Sequence, residues 1–376
     1  MTQGSIAGGR PTVLELENGA VFAGRSFGAD ASVAGEVVFN TGMAGYVEAL
    51  TDPSYRGQVL VLTYPLVGNY GVPRPRPEGS LAKPFESGRI QPSGLVVQSY
   101  SGAWSHHEAG RSLGDWLVTE GVPGLTGIDT RALTRVLREH GTMRGWIYPV
   151  GVDPVKARAG ASTVEMSKQV FLDVAPAEVR TYEGGERRVL LIDCGAKDQI
   201  VRSLLERGAT VVRAPWHVPL EPLVRDVDGI LIGNGPGDPA DLGSLTGAVQ
   251  GLMDRFHGAI FGVCLGHQIL ARAAGGDTYK LPYGHRGLNH PVRIVGTRRA
   301  FITSQNHGYA VDDRRLPHGW ERWFENLNDG TNEGIRSQAR PHRSVQFHPE
   351  ASPGPQDTGF LFDEFLEIAG ALRSTR

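Results

Sequence analysis

Two cysteines in 376 residues, Cys194 and Cys264, are too few for a disulfide framework, and no CxxC or paired Cys/His spacing offers a metal site. A reducing cytoplasm is the expected location, and no bound metal is expected. No apolar run is long enough to cross a bilayer. The opening MTQGSIAGGRP lacks an apolar core, so no secretory leader is expected. An excess of charge of one sign is also missing: 38 Lys and Arg stand against 40 Asp and Glu, a net charge of −2. That balance gives no electrostatic reason to expect nucleic acid or an anionic membrane as partner. Internal repeats and low-complexity segments are absent as well. What remains is an ordinary globular composition, with 40% hydrophobic and 21% charged residues. The length suits about two domains of roughly 100–200 residues each.

Residues 1–155 mix short strand-like runs with turns, the pattern of a mixed β/α domain. VLELENGAVFAG (13–24) reads as a hairpin around Asn18-Gly19, where a tight turn needs positive φ. EVVFN and QVLVLTYP read as strands. IDTRALTRVLREHG (128–141) reads as a helix capped by Asp129, with Leu133, Val136 and Leu137 as its apolar stripe and Gly141 as its stop. PRPRPEGSLAKPFESG (73–88), within a longer loop to about 93, reads as exposed surface. Residues 156–186 are weakly patterned, end in TYEGGERR and read as a linker. From 187 to 376, strands alternate with helices: RVLLIDCG, DQIVRSLLERGA, TVVRAP, DGILIGNGPGDP, SLTGAVQGLMDRF, AIFGV, LGHQILARAAGG. This alternation predicts an α/β fold with a doubly wound, mostly parallel sheet and ligands at the carboxyl ends of its strands. From Tyr279 the chain is more β-rich, and FLFDEFLEIAGAL forms a last helix.

Gly262-Val263-Cys264-Leu265-Gly266 has the layout of a nucleophile elbow, a sharp strand-to-helix turn crowded by any Cβ on either side. The sulfur would sit above the sheet at a helix N-terminus, whose partial positive charge favours thiolate. The Leu265 N–H would face the same space and could hold an oxyanion. A strand-end cysteine is often a buried filler; Cys194, without a glycine two residues before it, is read that way. A catalytic thiol needs a base, and the base needs an orienting group. His267 follows Cys264 on the helix and does not point back to it, so it is read as structural. His307, in SQNHGYAV, lies in a glycine-containing turn with no carboxylate nearby in sequence. His348 ends the strand SVQF and is followed by Pro349 and Glu350, so a small bend brings the Glu350 carboxylate to the ring.

The elbow GVCLGHQ, the loop NGPGDP and the downstream FHPE together resemble a class I (triad-type) glutamine amidotransferase domain. GEVVFNTGMAGYVEALTDPSYRGQVLVLTYPLVGNYG, GHRGLNHPV, SQNHGYAV, NDGTNEGI and HPEASPGP extend the resemblance over nearly the whole chain, to the small (glutaminase) subunit family of carbamoyl phosphate synthetase. The resemblance implies that Cys264 attacks the side-chain amide of L-glutamine, His348 moves protons and Glu350 orients His348. It carries glutamine binding to Ser54, Gly235, Gly237, Leu265, Gln268, Asn306, Gly308 and Tyr309, with Ser54 reaching the pocket from the N-terminal domain. Tyr309 departs from the phenylalanine frequent at that position. No cofactor is implied in this chain; ATP and magnesium belong to a large partner subunit that receives ammonia, uses bicarbonate and makes carbamoyl phosphate for arginine and pyrimidine synthesis. The alternatives are a glutaminase subunit of another amidotransferase, disfavoured by the N-terminal domain, a scaffold without catalysis, disfavoured by the intact triad, and, more remotely, a cysteine hydrolase acting on peptides or esters.

Overall fold

The computed structural model describes residues 9–74, 77 and 80–373, so the leader reading at residues 1–8 lies outside the described residues. The chain divides into two compact units, Met1–Met166 and Ser167–Arg376.

The first unit is a closed barrel. β1 (Pro11–Leu16) and β2 (Val21–Ser26) form the hairpin at Asn18-Gly19, where Gly19 has φ 86° and Asn18 Oδ1 accepts from the Ala20 N–H at 3.1 Å. β3 (Val33–Asn40), β4 (Val59–Val67), β6 (Gly94–Tyr100), β8 (Gly124–Thr126) and β9 (Met143–Pro149) complete it in the order β1-β2-β8-β6-β4-β3-β9. β5 (Val72–Pro73) and β7 (Ala109–Arg111) pair separately. Pairing of β1 with β9 closes the ring and leaves no open edge. Period-2 runs foretell the strands but not this long-range closure. The helix Thr130–His140 starts where expected: Asp129 Oδ1 accepts from the Ala132 N–H at 2.8 Å, and Leu133 and Leu137 are buried.

Two readings of irregular segments need correction. The stretch 73–88 is not wholly exposed. Phe85 packs edge-on against Trp116, the buried Glu86 donates its N–H to Thr51 Oγ1, and Ile90 lies in the same core. An aromatic ring and paired backbone groups anchor this half, whatever its proline content. The stretch 156–186 is not a plain linker either. The unit boundary falls inside it, and it takes in most of the helix Pro154–Gly160, the helix Lys168–Val174 and the strand β10 (Arg180–Tyr182). Val170 and Phe171 are fully buried. The Phe171 ring meets Trp216 edge-on, and a Cβ on Gly237 would come within 2.7 Å of it.

The second unit is an α/β layer structure. Its parallel core joins β11 (Arg187–Asp193), β12 (Ala209–Pro215), β13 (Gly229–Ile232), β14 (Ala259–Val263) and β19 (His342–Val345). β15 (Thr278–Ile294), β16 (Ala300–Val311), β17 (Trp320–Asn326) and β18 (Asn332–Ser337) extend it as antiparallel strands. The full order is β10-β12-β11-β13-β14-β19-β18-β17-β15-β16. Alternation along β14 shows the double winding. Phe261 stacks on Phe365 of the final helix, Phe360–Arg373, at 5.8 Å, whereas Gly262 turns to the other face, against the helix Leu265–Ala273. β13 and β14 are wholly apolar and β11 is apolar from Val189 to Ile192, as strands covered on both faces must be, whereas the short β19 (HRSV) is mostly polar.

Candidate active site

Cys264 stands between β14 and the helix Leu265–Ala273, at φ 55° and ψ −105°. This conformation is costly for a residue with a Cβ, on the order of 1–3 kcal/mol, and persists where the surroundings over-determine it. Here they do. The Cys264 N–H donates to the Val345 carbonyl at 2.9 Å, and its own carbonyl accepts from His267 and Gln268. Gly266 lets the helix close onto the β13 backbone, since a Cβ there would lie 2.0 Å from the Ile232 carbonyl oxygen. The thiol contacts the Asn306 carbonyl at 3.7 Å.

His348 follows β19 and is fixed by its N–H to the Ser304 carbonyl at 2.9 Å. Its Nδ1 meets Glu350 Oε1 at 2.6 Å, and Nε2 is buried with no hydrogen-bond partner. Burial opposes charge on this ring, but Glu350 and the neighbouring Cys264 outweigh it and raise its pKa. Glu350 is fully buried, which opposes its ionisation, yet His348 and Lys197 hold its pKa low. Lys197 Nζ lies 3.2 Å from Glu350 Oε1 and also donates to the Ala351 carbonyl. The sequence reading missed Lys197. No local signal marks it: a lysine two residues after Gly195 reads in sequence as an ordinary solvated cation.

The loop after β13 approaches the same corner. A Cβ on Gly235 would come within 2.3 Å of the Cys194 carbonyl oxygen and 2.8 Å of Leu265 Cδ2, while Gly237 has φ 79°. Gln268 Nε2 is committed to the Tyr309 carbonyl at 2.9 Å and to Gln346 Oε1 at 3.1 Å, so a contact to a ligand amine would fall to Oε1. Asn306, Gly308 and Tyr309 lie on β16, which passes over the thiol. Ser54 belongs to the first unit, where its N–H donates to Asp52 Oδ1 in the turn Pro53–Tyr55. Cys194 is fully buried, and burial followed by Asp193 pushes its thiol pKa well up. Buried His267 bonds Ser344 Oγ through Nδ1 at 2.9 Å; burial pushes its pKa down to about 3 and keeps it neutral.

His307 is a strand residue rather than a turn residue, and carboxylates that sequence does not place near it come close in space. Its ligand atoms and those of His285 and Glu333 lie within 4.8 Å of one another. Both His307 nitrogens are engaged, by the Tyr309 carbonyl and by Gln305 Oε1. His285 Nε2 bonds Asp329 Oδ2 at 2.8 Å, and its Nδ1 faces Glu333 Oε1 at 3.6 Å. Burial opposes charge on His285, but these carboxylates push its pKa up to about 9. Burial and then the His285 charge push His290 down to about 4. The cluster is therefore an ion-pair network with one charged ring. Because the folded pKa of His285 exceeds that of the free side chain, its contribution to stability is full below about pH 6.5 and is lost as pH rises through about 9. Denaturant midpoints should fall over that window in the wild type, and His285→Gln should flatten the fall; parallel curves would contradict a charged His285.

Among the described residues, no helix is long and apolar enough to cross a membrane. The family model described as carbamoyl-phosphate synthase small chain, CPSase domain, matches residues 14–147, and the glutamine amidotransferase class-I model matches residues 190–368. A carbamoyl phosphate synthase arginine-specific small chain of Schizosaccharomyces pombe is 44% identical over 372 residues, covering 96% of this chain and 88% of its own. Another such chain, from Aspergillus fumigatus, is 46% identical over 366 residues, covering 96% of this chain and 80% of its own. The multifunctional protein pyrABCN of Emericella nidulans is 44% identical over 388 residues and covers 95% of this chain. This chain spans 17% of that protein and 21% of the multifunctional protein pyr-3 of Neurospora crassa.

Proposed function

The chain belongs to the carbamoyl-phosphate synthase small-chain family, and from that premise we propose that it hydrolyses L-glutamine through a thioester on Cys264 and supplies ammonia to a large synthetase subunit. The observation that carries the mechanism is the buried His348 ring. Its Nδ1 is occupied by Glu350, and its Nε2 is left free beside a cysteine held at positive φ.

The Cys264 thiolate adds to the side-chain carbonyl carbon of glutamine, and its negative charge passes to the carbonyl oxygen. The N–H of Leu265, at the first position of its helix and without an acceptor inside it, stabilises that oxygen together with the backbone around Gly235 and Gly237. The His348 imidazolium gives its proton to the amide nitrogen, the C–N bond breaks and ammonia leaves. Neutral His348 then takes a proton from water, the hydroxide adds to the thioester, and the thiolate departs to leave glutamate. Glu350 stabilises the imidazolium in both halves of the cycle. Asn306, Gly308, Tyr309 and Gln268 border the substrate's amino-acid end, and the part of Ser54 rests on the family resemblance alone. The chain has no Gly-Lys-Ser/Thr phosphate loop. The reading therefore assigns ATP, magnesium and bicarbonate to the partner, whose carbamoyl phosphate feeds arginine and pyrimidine synthesis.

Co-purification of the full chain from its own cells tests this. A large ATP-using chain should accompany it, and the pair should form carbamoyl phosphate from glutamine. Recovery without such a chain would sink the partner assignment. Failure of a glutamine-mimicking electrophile to label Cys264 would sink the thioester.

A further inference from the structure

Arg213, on β12, has no place in the reaction above, yet it is built into the turn that carries Lys197. Its Nε bonds the Asp193 carboxylate, one terminal nitrogen bonds Asp198 Oδ1 at 2.7 Å, and the other donates to the Ala196 carbonyl at 2.9 Å. Asp193 Oδ1 in turn accepts the N–H groups of Gly195 and Ala196, each at 2.7 Å. One guanidinium thus fastens the 193–198 turn on both sides of Lys197. The Lys197 N–H is held separately by Asn234 Oδ1 at 2.9 Å.

Buried ion triads add little net stability over an apolar replacement of the same shape. Their use is better sought in geometry, and the geometry here leads to the catalytic pair. Glu350 Oε1 is shared by His348 Nδ1 and Lys197 Nζ, while Oε2 has no hydrogen-bond partner. Where the turn sits decides whether the ammonium reaches that oxygen. Lysine's four-carbon stem is flexible, so the fixed point has to be its backbone.

We propose that Arg213 is a positioning residue for glutamine hydrolysis: it clamps the 193–198 turn so that Lys197 neutralises Glu350 and Glu350 keeps His348 oriented. The inference rests on the triad reading above. A small misplacement of such a group costs rate rather than binding, up to about 100-fold.

The test is a double-mutant cycle on the complete complex, reading glutaminase kcat, KM and the pH profile of kcat. Arg213→Met should lower kcat about 10-fold, leave KM within about twofold and move the acid limb to higher pH, because Glu350 loses a neighbour that keeps it ionised. Arg213→Lys, which keeps the charge but not the fork, should lose less. In a Lys197→Met background neither change should lower kcat further. If Arg213→Met is not recovered folded, Arg213→Lys carries the same comparison. Equal losses in both backgrounds, or an acid limb that does not move, would assign Arg213 to fold maintenance and overturn the proposal. A wild-type complex unable to hydrolyse glutamine would instead overturn the triad reading.

Discussion

Replacing Cys264 with alanine is expected to lower glutamine hydrolysis by at least about 1,000-fold, since removing the nucleophile of a triad leaves only binding and oxyanion stabilisation. The fold should survive. The sulfur lies 3.7 Å from the Asn306 carbonyl and beside His348, and the backbone bonds that hold the corner do not depend on it. Glutamate release by the complex measures the loss, and carbamoyl phosphate formation from added ammonium salt is the control. That second activity should persist, because it bypasses this chain's chemistry. A Cys264→Gly chain sharpens the expectation. Glycine adopts φ 55° freely, so it should be as inactive as alanine but more stable than the wild type, by about 1 kcal/mol. An elbow strained for function predicts this opposition of stability and activity; a filler cysteine does not. An alanine variant that still releases glutamate at the wild-type rate would end the thioester proposal.

The elbow was legible because its physics is local: two glycines, a cysteine and a strand-to-helix change in period all lie within five residues. The helix 130–140 and the Asn18-Gly19 hairpin were legible for the same reason. The pairing of Cys264 with His348 could be inferred only as a competition among histidines, because β14 and β19 become neighbours through parallel pairing that no local pattern records. Lys197 and Arg213 were not legible at all. Each looks like an ordinary solvated cation until the folded chain puts Lys197 against Glu350 and Arg213 against Asp193 and Asp198. The barrel closure, the buried half of the 73–88 loop and the helices that fall mostly within 156–186 went unseen for the same reason. In each, a contact distant in sequence overrides a weak local signal. The two units also differ in how sequence announces them. Alternating strands and helices mark the second, whereas the first has short strands whose order around the barrel follows no sequence rule.

Gly266→Ala is expected to have the largest effect on stability of any single methyl addition at the site. The new Cβ would stand 2.0 Å from the Ile232 carbonyl oxygen and 2.6 Å from its carbon. Both are backbone atoms of β13, a central strand paired on both sides, and cannot rotate away. Either the helix Leu265–Ala273 lifts or β13 shifts. Overpacking of well-packed interiors typically costs about 1–3 kcal/mol, and a backbone obstacle belongs at or above the top of that range. For a unit of this size, about 3 kcal/mol corresponds to a loss of roughly 6–12 °C in Tm. Activity should fall further than stability requires, since lifting the helix moves the Leu265 N–H and the sulfur together. Gly247→Ala supplies the control. It lies within the helix Gly243–Arg255, its Cβ would meet nothing within 4 Å, and the same methyl should raise stability by about 0.5–1 kcal/mol. Opposite signs for one chemical change would locate the cost in the contact with Ile232 and not in glycine loss as such. Equal melting curves for Gly266→Ala and the wild type would mean that the helix does not approach β13 this closely, and the elbow geometry that aims Cys264 would fall with it.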